Sequence, residues 1–126
     1  MRLLGPIAIA TTGSDGSATG SYDSPVPIPG RLAAVHIAHS AGQANTTSVA
    51  ITTKGTNAPA KSLLTVGSKG TGWYNPVAPT HAVADGAAVT GWYTKLPLED
   101  IVRIAVSSAD NNETTTVYLE MEDDED

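Results

Sequence analysis

The sequence predicts an all-β protein: an antiparallel β-sandwich, jelly-roll-like, with about eight strands. Apolar residues alternate with polar or small ones over short segments, and Gly, Pro, Asn and Ser bound those segments. Nowhere does a helical i, i+3, i+4, i+7 stripe of apolar residues persist for as many as three turns. Strands are therefore the elements that the pattern supports.

Length and composition favour a single domain with an aliphatic core. The 126 residues are 40% hydrophobic but include only two Trp, four Tyr and no Phe. The absence of Cys excludes a disulfide framework, a thiolate zinc site and a Cys nucleophile. We assign residues 1–119 to one sandwich domain and residues 120–126 to an acidic C-terminal tail that we expect to be flexible.

Charge is concentrated at the C-terminus. The net charge is −6, and Glu120 to Asp126 holds six of the 13 acidic residues, which leaves seven acids against seven bases elsewhere. The basic residues are scattered singly, which argues against nucleic acid as a partner because phosphate contacts need clustered Lys and Arg. The tail is either a solvated, frayed terminus or a segment that contacts a basic patch on a partner.

The sequence does not predict a membrane partner. No apolar run approaches the roughly 18 residues that a membrane span requires. Met1–Thr12 lacks the long apolar stretch and processing site of a signal peptide. Synthesis in the cytoplasm is the expectation that follows.

Turn residues divide the chain into the expected strands. These strands are Leu3–Ala10, Ala18–Tyr22, Leu32–His39, Ser48–Thr53, Ser62–Val66, Ala88–Tyr93, Ile101–Ser107 and Thr115–Met121. Gly13–Gly16 forms a turn after the first strand, and Asp110–Asn112 predicts a hairpin between the last two strands.

The last two strands show the face assignment most clearly. In each, three apolar side chains share one face: Val102, Ile104 and Val106, and Val117, Leu119 and Met121. Arg103, Tyr118 and Glu120 take the opposite face. The pattern indicates half-buried antiparallel strands.

Two segments depart from this alternation. Pro25, Pro27 and Pro29 recur at every second position and mark an edge or an extended approach into Gly30. From Gly67 to Asp85 glycines and prolines replace the apolar pattern, so we expect a long loop. Because long loops in compact domains tend to be functional, it is the first candidate for recognising a partner.

No residue pattern indicates a catalytic or cofactor site. His36, His39 and His81 are the conventional metal or base candidates, but His36 and His39 are three apart and project from opposite faces of a strand. No G-x-S-x-G elbow is present. We therefore expect no catalytic residue, metal or cofactor, and no enzymatic activity.

Four aromatic residues form the candidate interface for a partner or a second copy: Trp73, Tyr74, Trp92 and Tyr93. They belong to two copies of the tetrapeptide Thr-Gly-Trp-Tyr, each followed by Pro within a few residues. On a strand one ring of each pair faces inward and its neighbour outward. The rings serve core packing, a protein interface, or stacking on sugar.

Several segments carry a resemblance to a known family: Pro25–Ala38, Val49–Thr53, Trp73–Pro76, and Leu96–Val106 with Thr116–Leu119 after it. This layout resembles the small virion structural proteins of tailed bacteriophages, of the capsid decoration or cement type. The resemblance implies a jelly-roll-like sandwich that self-associates around capsid symmetry axes, and it supplies no catalytic residue.

The expected function is that of a capsid-stabilising homo-oligomer, a dimer or trimer, which binds the major capsid protein. An exterior position on the phage head follows from the acidic tail, because packaged DNA would repel it. The alternatives are another virion component, such as a fibre, neck or tail protein, and a carbohydrate-binding module in which Trp73 or Trp92 stacks on sugar. An enzyme is the last alternative.

Overall fold

The computed structural model describes residues 2–56 and 59–122, apart from the side chains of Pro79, Trp92 and Glu99. Within those ranges the secondary structure is all β. The ten strands are β1 (Arg2–Thr11), β2 (Ala18–Asp23), β3 (Ile28–His39), β4 (Ser48–Thr53), β5 (Ser62–Val66), β6 (Gly72–Tyr74), β7 (Val77–His81), β8 (Ala88–Asp100), β9 (Val102–Ala109) and β10 (Glu113–Glu122).

The strands form two antiparallel sheets. The larger has six strands in the order β1-β10-β3-β8-β7, with β6 also paired to β3, and the smaller has the order β2-β9-β4-β5. The first strand thus pairs with the last, β2 with β9, β3 with β8 and β4 with β5. This nested pairing of early strands with late strands, divided between two sheets, is the jelly-roll arrangement. The predicted fold class is confirmed.

An aliphatic core lies between the sheets. The largest fully buried side chains are Leu32, Val35, Ile37, Val49, Ile51, Leu98, Val102, Ile104, Val106, Val117, Leu119 and Met121. Tyr22 and Tyr74 pack against this cluster while only partly buried. The predicted inner faces of the last two strands are confirmed, because all six of their apolar side chains belong to the core.

The predicted long loop is wrong in part. Residues 67–85 contain two strands, β6 and β7, and β8 continues to Asp100, seven residues past its predicted end at Tyr93. β6 is too short, at three residues, to show alternation, and β7 contains Pro79 and has no buried described side chain. The described residues therefore form ten strands where the pattern indicated about eight.

The predicted hairpin at Asp110–Asn112 is also wrong. β9 and β10 belong to different sheets, so this turn crosses from one layer of the sandwich to the other. The backbone N–H of Asp110 donates to Oε1 of Gln43, and that of Asn112 donates to the carbonyl of Thr11. Turn residues of one type serve both hairpins and crossings, so composition could not separate them.

The C-terminal boundary also differs from the prediction. β10 continues through Glu122, and Met121 is fully buried, so residues 120–122 belong to the sheet rather than to a tail. The remaining four residues of the predicted tail, 123–126, lie outside the described residues.

β8 leaves the larger sheet halfway along its length. Only Leu96–Asp100 pair with β3, and further along β3 the place beside it is taken by β6, which pairs with Val35–Ile37. The earlier part of β8 pairs with β7 instead. Residues 77–95 thus form a two-stranded projection, called here the ribbon, and none of its described side chains is buried.

Candidate interaction surfaces

The structure separates the three predicted interface residues whose side chains it describes, Trp73, Tyr74 and Tyr93. Trp73 lies on the outer face of the larger sheet and is 56% exposed, whereas the next residue, Tyr74, packs against the core. Tyr93 lies on the ribbon opposite Pro79 and is 60% exposed. Trp92 precedes it on the same strand, but its side chain is not among those described. The expected alternation holds for the first pair, and the three described side chains do not form one cluster.

Trp73 belongs instead to a row of rings that crosses three strands. The register places Trp73 of β6 and Tyr118 of β10 on either side of His36 of β3. The His36 and Trp73 ring centroids lie 4.9 Å apart with the planes inclined at 59°, and those of His36 and Tyr118 lie 6.0 Å apart. We call Trp73, His36 and Tyr118 the aromatic row.

A glycine on β1 makes room for the end of the aromatic row. A Cβ atom placed on Gly5 would lie 3.0 Å from Cδ1 of Tyr118, and the Gly5 φ of +134° is one that L side chains rarely adopt. The pairing of β1 with β10 shifts its register between Leu4 and Ile7, which encloses this residue. The Tyr118 ring therefore lies over a site that only glycine fits.

Ion pairs join three strands on the same sheet. Glu122 of β10 binds Nζ of Lys95 on β8 and lies 3.6 Å from Nε of Arg31 on β3. The hydrogen bond from Lys95, followed by the charges of Lys95 and Arg31, lowers the pKa of the Glu122 carboxyl below its ordinary value. These side chains are a third to two-fifths exposed, so the ion pairs add little to the free energy of unfolding. Their main effect is to hold the three side chains in a fixed arrangement across β3, β8 and β10.

A groove of about 500 Å³ opens where β1 and β2 diverge into separate sheets. Pro6 and Ile7 of β1 form one side, and Tyr22 with Pro25 and Pro29 forms the other. The recurring prolines that marked an edge in the sequence thus line this opening. Arg2 closes part of it by donating from its guanidinium to the carbonyl of Pro29.

A buried polar network closes one end of the sandwich. The amide Nε2 of Gln43, a residue only 3% exposed, donates to the hydroxyls of Thr11 and Thr115 over 3.3 and 3.4 Å. The Thr11 hydroxyl in turn contacts the Asp110 carbonyl oxygen at 2.7 Å. The loop after β3, the turn before β10 and the end of β1 are thereby tied together.

His39 stands at the margin of that network, facing inward while His36 faces outward, as the spacing predicted. Burial lowers the pKa of His39, although the Gly70 backbone favours its charged form. Its Nε2 is buried and has no hydrogen-bond partner within the described part of the chain. The two histidines cannot chelate one ion from opposite faces.

Within residues 2–56 and 59–122 no group of three or more His, Asp or Glu side chains is placed to hold a metal ion. The same ranges contain no helix long and apolar enough to cross a membrane. Comparison with protein families, with curated proteins and with solved structures found no match for this chain.

Proposed function

We propose that the protein is a non-enzymatic structural virion protein of a tailed phage, a decoration or cement protein that stabilises contacts between capsomers. Its partners are the major capsid protein and further copies of itself, as a dimer or trimer. The observation that carries the proposal is the ribbon, a two-stranded element that projects from the sandwich.

The ribbon exposes apolar side chains that the sandwich does not cover. Val83 is fully exposed, Tyr93 is 60% exposed and Val77 is 49% exposed. A two-stranded ribbon is marginally stable alone in water, because it buries too little apolar surface to offset its ordering entropy. A partner surface that covers these side chains would supply the missing burial.

The sandwich suits the same role. Jelly-roll domains recur in viral capsid proteins, where two packed sheets form a rigid body. This support is analogy at the level of the fold, which hosts many functions. The acidic run from Glu120 favours a position outside the head, away from packaged DNA.

Self-association is tested by light scattering after size exclusion, across a dilution series. We expect a stable dimer or trimer from the wild type and monomers from the double variant Val83→Lys, Tyr93→Ser. Val26→Lys is the matched control, since Val26 is 62% exposed but lies outside the ribbon, and it should leave the mass unchanged. A wild type that stays monomeric at every concentration would argue against self-association through the ribbon.

Binding to the head is tested by co-sedimentation with empty expanded heads of the parent phage. The wild type and Val26→Lys should sediment with the heads, and the ribbon variant should remain in solution. Copy number in purified virions then separates a shell protein from a fibre, neck or tail component, whose copies are far fewer. A wild type that neither binds heads nor occurs in virions would contradict the proposal.

A further inference from the structure

We propose that the aromatic row is a binding site for a neutral sugar, a pyranose unit of a glycan that stacks on Trp73. The inference stands apart from the structural role argued above, because it concerns the outer face of the larger sheet and not the ribbon. It commits to a carbohydrate ligand rather than to a protein.

The indole of Trp73 is positioned as a stacking platform. It lies on a short strand held by pairing to the centre of β3, so its position is fixed by the sheet. Because the His36 and Trp73 planes are inclined at 59°, the imidazole does not cover the indole face to face. Trp73 is 56% exposed, so much of the indole is open to solvent.

Such a platform suits the apolar face of a pyranose. The axial C–H bonds of a sugar ring carry partial positive charge and are attracted to the negative face of an aromatic ring. The row is also the right size for a ligand of one or two sugar rings. Trp73 and Tyr118 stand two strands apart, a spacing of roughly 10 Å in a β-sheet.

Hydrogen-bonding groups accompany the stacking surface. The imidazole of His36 can donate and accept between the two larger rings, and Tyr118 carries a phenolic hydroxyl. Glu120 follows Tyr118 on the same face of β10, roughly 7 Å further along the strand. Sugar hydroxyls thus find both donors and acceptors at the rim of an apolar platform, which is the general design of small-ligand sites.

The charges on this face favour a neutral ligand. Among the described side chains beside the row, the positive charges of Arg31 and Lys95 are balanced by the negative charges of Glu120 and Glu122. Three of the four are also paired with one another. These four side chains give neither an anionic nor a cationic ligand an overall attraction.

The area of the row argues against a protein as the occupant. A specific protein interface buries about 800 Å² on each partner. Even a fully buried aromatic side chain contributes only about 150–250 Å², and these three rings are already partly buried in the sheet. The row falls short of a protein interface but matches the face of a sugar.

The test is a titration with four neutral hexaoses, maltohexaose, cellohexaose, mannohexaose and chitohexaose, followed by the indole N–H resonances in ¹H–¹⁵N NMR. We expect the Trp73 resonance to shift with at least one of them, with Kd on the order of 0.1–10 mM. Trp73→Ala should weaken binding by about tenfold or more while the remaining resonances stay dispersed. Trp73→Tyr should restore part of the affinity.

Tyr93→Ala is the matched control, since it removes an exposed ring of the ribbon and should leave the affinity unchanged. No response of the Trp73 indole to any of the four sugars at about 10 mM would overturn the inference. Loss of self-association or head binding in Trp73→Ala would overturn it too, because a protein would then occupy the row. Failure of the ribbon variants to change the solution mass would leave this titration unaffected.

Discussion

The imidazole Nδ1 of His39 lies 2.8 Å from the hydroxyl oxygen of Thr115, the residue opposite it in the pairing of β3 with β10. The Thr115 hydroxyl also accepts from the amide of Gln43. His39 is thereby held at the margin of the buried polar network, where burial disfavours the charged form of its ring.

Acidification should therefore destabilise the fold through His39. Its pKa in the folded protein is below the ordinary value of 6.5, chiefly because burial disfavours the charged form. The unfolded chain then binds the proton more readily, so this contribution is present above about pH 6.5 and is lost as the pH falls towards the lowered pKa. The urea concentration at the midpoint of unfolding should therefore decrease as the pH is lowered below about 6.5.

His39→Gln should flatten that decline, and His36→Gln is the matched control because His36 takes no part in the network. A slope between pH 7 and 5 that is equal in the wild type and in His39→Gln would show that another group governs the acid response.

Thr115→Val should cost about 1–3 kcal/mol in the free energy of unfolding, because it leaves the Gln43 amide and His39 Nδ1 short of a partner in a buried site. The same change at Thr116, the next residue along β10 on the outer face, should cost far less. Chemical denaturation of the two variants checks the difference. If both variants lost the same free energy of unfolding, the loss would come from the difference in β-propensity between Thr and Val and not from the polar network.

Gly20→Ala should destabilise the sandwich by about 1–3 kcal/mol, because the new Cβ would lie 2.5 Å from the backbone oxygen of Ala10. A backbone atom in a strand cannot move aside as a flexible side chain can. Gly67→Ala is the control, since its Cβ would meet nothing within 4 Å. Thermal unfolding should separate the two, and similar melting temperatures would contradict the close approach of β1 to β2.

Arg103→Gln should raise the pKa of the Asp23 carboxyl towards its ordinary value. The guanidinium of Arg103 binds both carboxylate oxygens, at 2.8 and 3.0 Å, and this hydrogen bonding is the largest cause of the lowered pKa. The pair stabilises the fold above the ordinary pKa, and that stability is lost as the pH falls through the lowered value. Carboxyl ¹³C titration measures the shift directly.

Lys54→Gln is the comparison for that titration. Nζ of Lys54 lies 3.6 Å from Asp23, so its removal should raise the Asp23 pKa by less than Arg103→Gln does. The reverse order would show that net charge, rather than hydrogen-bond geometry, governs this carboxyl.

The body of the fold was predictable because its strands are buried on one face. The predicted limits of β4 and β5 agree with the structure, and the alternation in β9 and β10 gave their inner faces correctly. Of the ribbon, the sequence predicted the first part of β8 as the strand Ala88–Tyr93 but missed β7, because a strand that buries neither face shows no clear period of two. Nor does a turn such as Asp110–Asn112 encode whether the chain pairs with itself or crosses between sheets.

The candidate surfaces were predictable only in part. The sequence singled out Trp73 and predicted that either it or Tyr74 faces outward, but it treated His36 and Tyr118 as unrelated residues. Their proximity depends on the pairing of β3 with both β6 and β10, which joins positions far apart in the chain. Register of this kind is set by tertiary packing, and a single sequence does not state it.

The position of β10 has a consequence for how the protein is made. This strand follows all the other described strands in the chain, yet it lies between β1 and β3 in the interior of the larger sheet. During translation, the backbone N–H and C=O groups of β1 and β3 that pair with β10 have no strand partner until β10 leaves the ribosome. Proteins that depend on such long-range strand pairing fold slowly, in milliseconds to seconds. During this time, the unpaired strands of neighbouring nascent chains on the same mRNA can pair with each other.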